Sequence, residues 1–283
     1  MTEAPPPLIF GASSQVGQAL LARMTREGMA AHAVSRQPQA DTPPICWQQG
    51  NFHSALPATP CAVSLGPLLP FADWLRRQPS QTIERVIAVS SLSLRHKRDS
   101  VSAQERHTAS LLAEGEAQLQ ALAEQRGIQL TVLRPAMLYG LGRDQTIAHS
   151  LRLAQRRGWM IIPVPAPGAR QPLHLDDLAD ALLQCLRGAA CGATLELGGG
   201  EVLPMQQLLQ RIASSVPRCR VVRVPAWPLR QLAMLSARLS VSADGLAAAL
   251  ARSRQDQLPD ETLTRTLLDW HPRAFEPGGG ATA

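Results

Sequence analysis

The sequence predicts an α/β protein, a doubly wound parallel sheet with a smaller, mostly helical C-terminal region. Three observations carry that expectation. Short apolar runs of strand type alternate with amphipathic helical stretches through the first half of the chain, a pattern that demands a parallel sheet covered by helices on both faces. A Gly/Ser-rich turn, Gly11 to Gly17, joins the first strand run to the first helix. And 283 residues, 45% of them hydrophobic, are enough to bury a full core.

The elements follow in order. Leu8-Ile9-Phe10 reads as a buried strand, entered after three prolines that a strand tolerates only at its start. Val16 to Met24 has apolar positions at helical spacing and stops at Gly28. Further strands are expected at 30–34, 45–48, 61–65 and 85–90, with a helix near 71–77 between the last two. A long helix should run from about Ala103 to Gln125 and end at Gly127, before a sixth strand at Leu130 to Leu133. Beyond Tyr139-Gly140 the pattern loosens. A helix is expected over 145–157, strands at 160–164, 173–175 and 195–197, and a helix over 176–186 whose N-terminus Asp176 caps. The remainder reads as mostly helical, and the Gly278 to Gly280 tail as disordered. The implied organisation is a nucleotide-binding unit over 1–158, to which segment 171–190 returns, and a substrate- or partner-side region over 159–283.

Composition narrows the function classes. The net charge is +6, but Lys97 is the only lysine, the arginines are scattered, and aromatics make up 4%. Basic patches interleaved with aromatics, the mark of a nucleic-acid surface, are missing, so no nucleic-acid partner is expected. The five cysteines form no Cys-x-x-Cys pair and imply no disulfide scaffold. No apolar run reaches membrane-spanning length, and the N-terminus has no signal-peptide pattern, so the expected location is cytoplasmic.

The turn Gly11-Ala12-Ser13-Ser14-Gln15-Val16-Gly17 is the strongest motif. Between a strand and a helix, it would bring backbone N–H groups and a positive helix end against a pyrophosphate. Gly11 allows the sharp turn, and Gly17 allows the helix to pack close to the sheet. This is the context of a Rossmann-type dinucleotide site. Ser13, Ser14, Gln15 and Val16 complete the cradle, with Leu65 at the end of the fourth strand beside it. At the end of the second strand, where a carboxylate would select NAD(H), the chain has Ser35-Arg36. A hydroxyl and a guanidinium suit a 2′-phosphate, so NADP(H) is expected over NAD(H).

With these residues in view, the chain resembles the extended and atypical short-chain dehydrogenase/reductases, the NAD-dependent epimerase/dehydratase group among them. The resemblance rests on Gly11 to Gly17, on Asn51 after Gly50, and on Val89-Ser90-Ser91. It continues through Arg134-Pro135-Ala136-Met137-Leu138-Tyr139-Gly140, His174-Leu175-Asp176-Asp177-Leu178-Ala179 and Leu268-Asp269-Trp270-His271-Pro272-Arg273. One departure concerns the turn: Ser14 stands where the family has its middle glycine. The resemblance implies an adenine-side role for Asn51, a catalytic serine at Ser90 or Ser91, and a Tyr-x-x-x-Lys pair on the long helix within about Glu105 to Glu116.

That pair is absent. Tyr139 is the only tyrosine and Lys97 the only lysine, so no register supplies it. Candidate substitutes for acid/base work are Ser91, Tyr139 and His107, with His96 and Lys97 in the loop after Ser91. His174 and Asp176 lack a third ligand at metal-site spacing, so no metal is expected. Two functions stay open. One is an oxidoreductase or epimerase acting on a carbonyl or sugar-nucleotide-like small molecule. The other is a non-catalytic NADP(H)-binding regulator or accessory subunit that contacts a partner protein.

Overall fold

A computed structural model describes residues 5–140, 142, 147–229, 231 and 248–277. Its main sheet has seven parallel strands: β1 (Leu8–Phe10), β2 (Ala31–Ser35), β3 (Ile45–Gln49), β4 (Cys61–Ser64), β5 (Arg85–Val89), β6 (Gln129–Pro135) and β11 (Thr194–Leu197), in the order β11-β6-β5-β4-β1-β2-β3. The order reverses between β1 and β4. Diverging connections at such a switch point open a crevice at the carboxyl ends of the strands, where open α/β sheets bind ligands.

Side chains alternate along the strands into two cores. Ile9, Val63, Ile87, Leu133 and Leu195 face α1 (Gln15–Arg26) and α6 (Leu175–Leu186). Leu8, Phe10, Ala62, Val86, Ala88 and Val132 face α2 (Leu68–Arg77) and α4 (Ala103–Arg126). Both faces of the inner strands are therefore apolar, as the near-continuous runs in the sequence require. Helix α4 ends on Gly127 at φ +69°, the left-handed position that stops a helix.

A second, smaller core gathers Tyr139, Ile147, Met160, Leu208, Ile212 and Phe275. It lies among β7 (Leu138–Tyr139), α5 (Ile147–Arg157), β8 (Trp159–Val164) and α7 (Met205–Ser214). The remaining short elements are α3 (Ser93–His96), β9 (Ala169–Arg170), β10 (Leu173–His174), β12 (Leu203–Pro204), β13 (Arg220–Pro225) and α8 (Thr262–Leu267).

Three expectations are corrected. Residues 220–225 form strand β13, paired in parallel with β8 over its whole length, where helix was expected. The β-branched run Val221-Val222-Arg223-Val224 gains a partner there that helical propensity cannot supply. Strand β11 joins the main sheet beyond the 171–190 segment expected to return, because its register partner is β6. And Asp176 does not cap α6. His174 does, its Nδ1 accepting from the Asp176 amide at 3.2 Å. The Asp176 carboxylate instead pairs with Arg23 at 3.1 Å and Arg273 at 3.2 Å. Residues 145–146 of the helix expected over 145–157 and the Gly278 to Gly280 tail lie outside the described residues.

The segments that carry the family resemblance act as fasteners. Buried Asp177 accepts from the Arg273 Nε at 2.9 Å and from its backbone amide at 3.1 Å. Trp270 packs into the α1–α6 core and donates to Glu261 at 3.0 Å. Arg134 pairs with Glu116 of α4 and lies 3.8 Å from Glu196. The C-terminal segment is thereby tied to α6. No helix among the described residues is long and apolar enough to cross a membrane.

Candidate active site

The β1–α1 turn has the shape a phosphate cradle needs. Gly11 sits at φ +75°, and a Cβ there would lie 3.2 Å from the Leu65 backbone. At Gly17 a Cβ would fall 2.3 Å from the Ala12 carbonyl oxygen, so only glycine fits. Ser14 is the N-cap of α1, and its hydroxyl oxygen accepts from the Gly17 amide at 3.1 Å. The hydroxyl proton stays available to donate. Serine in place of the family's glycine thus caps the helix and adds a donor beside the cradle.

Two buried polar atoms near this edge have no hydrogen-bond partner among the described residues, Gln15 Nε2 at the start of α1 and Ser64 Oγ at the end of β4. Stranded groups of this kind are costly unless a ligand satisfies them. The residues present therefore fit a bound dinucleotide. Ser13 is exposed, and Gln15, Val16 and Leu65 are half-buried at the same edge. Ser35 is buried and accepts from the Gln37 amide at 3.2 Å, while Arg36 is exposed and makes no ion pair with any described residue. Asn51 closes a tight turn after β3: its Oδ1 accepts from the His53 amide at 2.7 Å.

Next to this edge, where β5 and β6 end, a cavity of about 590 Å³ opens. Among its lining residues are Ser90, Ser91, His96, Lys97, Arg170, Arg252 and Gln257. No carboxylate is among its described lining residues. Four buried polar atoms on its walls have no hydrogen-bond partner among the described residues: Ser90 Oγ, His96 Nε2, Arg170 Nε and Gln257 Nε2. Behind the wall, Glu105 of α4 pairs with Arg252 and lies 3.6 Å from Lys97, which fixes both cations.

Arg170 is almost fully buried. Its guanidinium donates at 2.7 Å to the carbonyls of Ala169, Gln255 and Arg252. Burial, with Arg252 nearby, pulls it down to about 10, which still leaves it charged at neutral pH. His96 is lowered from the ordinary histidine value by burial first and by Arg95 and Arg170 next, against Glu196 and a hydrogen bond to the Leu258 backbone. Its Nε2 is buried and has no hydrogen-bond partner among the described residues, so a neutral imidazole can accept a proton there.

The sequence-derived acid/base residues separate in space. Ser91 lines the cavity, its hydroxyl oxygen accepting from the Ser93 amide at 3.1 Å. His107 is exposed on α4 and does not line the cavity. Tyr139 is buried, donates to the Ala274 carbonyl at 3.3 Å and accepts from the Glu276 amide at 3.4 Å. Its ring packs edge-on against His174 and Phe275 at 5.0 Å, and burial pushes its phenol up. Sequence reasoning missed Arg170, Arg252 and Gln257 altogether.

No family model matches the chain, and no curated protein matches it. Solved structures do. MoeE5 in complex with UDP-glucuronic acid and NAD is 18% identical, with a TM-score of 0.71 over 97% of this chain and 96% of that one. A UDP-glucose 4-epimerase of Thermotoga maritima with UDP-glucose is 13% identical, with a TM-score of 0.67 over 97% and 96%. The NAD-dependent NDP-hexosamine 5,6-dehydratase TunA is 15% identical, with a TM-score of 0.61 over 78% and 84%. The chain shares the Rossmann-like α/β fold of these epimerase and dehydratase structures. Within that fold, α4 carries Glu105 toward the cavity wall, and the lone lysine reaches the cavity from the end of α3.

One consequence concerns pH. Below about 6.5 the unfolded chain protonates His96, whereas the folded chain does so only at lower pH. Between those values the unfolded state holds more protons, so stability falls as pH drops through that window. Thermal unfolding of wild type and His96→Gln across that range should show a shallower slope for the variant. Equal slopes would mean that His96 is solvated in the folded state.

Proposed function

We propose that the chain binds NADP(H) along the carboxyl-terminal edge of its sheet and acts as an oxidoreductase or epimerase on an anionic, oxygen-rich small molecule held in the adjoining cavity. The observation that carries this reading is the cavity itself: among the described residues it has four unsatisfied buried polar atoms, cationic walls and no lining carboxylate. A ligand rich in hydroxyl and acidic oxygens satisfies all of these at once. Sugar nucleotides have that chemistry, and the MoeE5 and epimerase complexes hold such ligands. Arg36, exposed beside Ser35 and without an ion pair to any described residue, supports NADP(H) over NAD(H).

The bound nicotinamide supplies hydride chemistry. The chain's own residues supply orientation and proton handling. Neutral His96 accepts a substrate hydroxyl proton at Nε2 as a carbonyl forms and returns it in the reverse direction. Ser90 and Ser91 hydrogen-bond the reacting oxygen. Lys97, Arg170 and Arg252 favour negative charge developing on it.

Turnover should be followed by reduced-nicotinamide absorbance with a panel of sugar nucleotides and simple carbonyls. His96→Gln should lower kcat by roughly a hundredfold or more, the scale of general acid–base catalysis, while NADPH binding is retained. The second reading, a non-catalytic NADP(H)-binding regulator, is favoured by the absence of the Tyr-x-x-x-Lys pair and by Tyr139 being tied to Ala274 and Glu276. NADPH binding without turnover on any panel member, together with recovery of a stoichiometric partner protein, would establish that reading instead.

A further inference from the structure

The two-stranded sheet of β8 and β13 has an inner and an outer face. Met160, Ile162 and Val221 point inward, in or against the smaller core. Strand alternation sends Trp159, Ile161 and Val222 outward, where they are 38%, 41% and 45% exposed. The register sets Trp159 opposite Arg220 and Ile161 opposite Val222. The Arg157 guanidinium lies over the Trp159 ring, 5.5 Å from its centroid. Two residues past the end of β13, Trp227 is 67% exposed.

The charge around this face has one sign. The stretches from Gln145 to Leu175 and from Val202 to Ala243, to which α5, β8, α7 and β13 belong, hold ten arginines and no aspartate or glutamate. All 22 acidic residues lie elsewhere, which leaves the rest of the chain net acidic. Arg156, Arg157, Arg218 and Arg220 are exposed and make no ion pair with any described residue. Exposed apolar side chains beside unneutralised guanidinium groups call for an occupant that is anionic at its surface and apolar beneath. A second copy of the chain, docked face to face, would set arginines against arginines.

We propose that this face seats the protein on an anionic phospholipid surface. Trp159, Ile161 and Val222 stand on an open sheet face and not in a groove, so they suit a plane better than a peptide, whose side chains need pockets. An indole sits at the headgroup level of a bilayer, its apolar body inward and its N–H in the wet layer. Arg157 and Arg220, both beside Trp159, are placed at that same level. There each guanidinium can donate two hydrogen bonds to a lipid phosphate. Attachment is peripheral, within the headgroup layer. The face lies apart from the cavity at the main sheet's edge, none of whose described lining residues belongs to it, so seating on lipid does not depend on the proposed reaction.

The test is co-sedimentation of the full chain with lipid vesicles. Vesicles of phosphatidylcholine and phosphatidylglycerol, roughly three to one, should bind it roughly tenfold or more tighter than phosphatidylcholine alone, and added salt should weaken the binding. Each arginine near such a surface contributes a factor of about five. Arg157→Gln and Arg220→Gln should therefore each weaken binding about fivefold, whereas Arg26→Gln, exposed on α1, should leave it unchanged. Trp159→Ala should weaken binding as well and remove part of the blue shift in tryptophan emission that vesicles produce. All four side chains are exposed, and circular dichroism checks that each variant is folded. No preference for anionic vesicles, or an equal loss in Arg26→Gln, would overturn the proposal. Binding to polyglutamate as tight as to vesicles, with Trp159→Ala without effect, would also overturn it, because the face would then serve an acidic protein.

Discussion

Gly17→Ala should abolish dinucleotide binding and cost about 3 kcal/mol of stability. A methyl group there would stand 2.3 Å from the Ala12 oxygen and 2.5 Å from the Gly11 oxygen. Both contacts are backbone, so no side-chain rotation relieves them. The turn must open, and with it the cap in which Ser14 accepts from the Gly17 amide. Urea unfolding and nucleotide titration of the same variant separate the two effects. A variant that binds NADPH as wild type does would show that α1 can shift away from the sheet without disturbing the cradle. Ser14→Ala is the milder companion. It removes the cap alone and should cost about 1 kcal/mol.

Arg170→Met is expected to be the most damaging change in the cavity wall. The arginine satisfies three carbonyls, those of Ala169, Gln255 and Arg252. Each stranded buried acceptor costs about 1–3 kcal/mol, so a loss on the order of 4 kcal/mol is expected even though methionine fills similar volume. Arg170→Lys keeps the charge but offers one ammonium in place of a fork, and should recover only part of the loss. Denaturant midpoints decide the matter. A loss below about 1 kcal/mol for Arg170→Met would mean that water replaces the guanidinium and that the wall is less sealed than its burial implies.

Much of the first half of this fold is legible in the chain because periodicity and breakers agree there. Strand runs of three to seven residues alternate with helices, and Gly127 ends α4 where a left-handed residue is needed. The β1–α1 turn is legible for the same reason, since glycine appears where steric room is smallest. The far half is harder. Strand β13 carries arginines at 220 and 223 and, among the described residues, pairs with β8 alone, so it shows little of the alternation that marks a half-buried strand. Its β-branched run was the available signal.

The cavity is least legible of all. Arg170, in Gly168-Ala169-Arg170-Gln171, reads as a surface loop residue, and nothing local reveals that the chain folds three carbonyls around it. His96 and Lys97 stand in the basic run Arg95 to Arg98, which reads as a solvated cluster. The structure divides that run, sending Arg95 to Glu196 at 2.7 Å and placing His96 and Lys97 on the cavity wall. The family resemblance points to α4 for the acid/base group. What α4 contributes near the cavity is Glu105, a holder of cations. Side chains that are brought together by distant loops leave no spacing pattern, and only the tertiary structure reports them.

The central claim is that the Gly11 to Gly17 turn and the Ser35-Arg36 corner hold NADP(H). The direct measurement is a titration of the purified protein with NADPH and NADH, followed by nicotinamide fluorescence, in wild type and Arg36→Ala. Loss of a charge-assisted contact to the 2′-phosphate is worth about 1.5–3 kcal/mol. NADPH should therefore bind wild type more tightly than NADH does, and Arg36→Ala should weaken NADPH roughly tenfold to a hundredfold while leaving NADH unchanged. Failure of both nucleotides to bind wild type would contradict the account, because the turn would then be a strand–helix connection with no phosphate to hold.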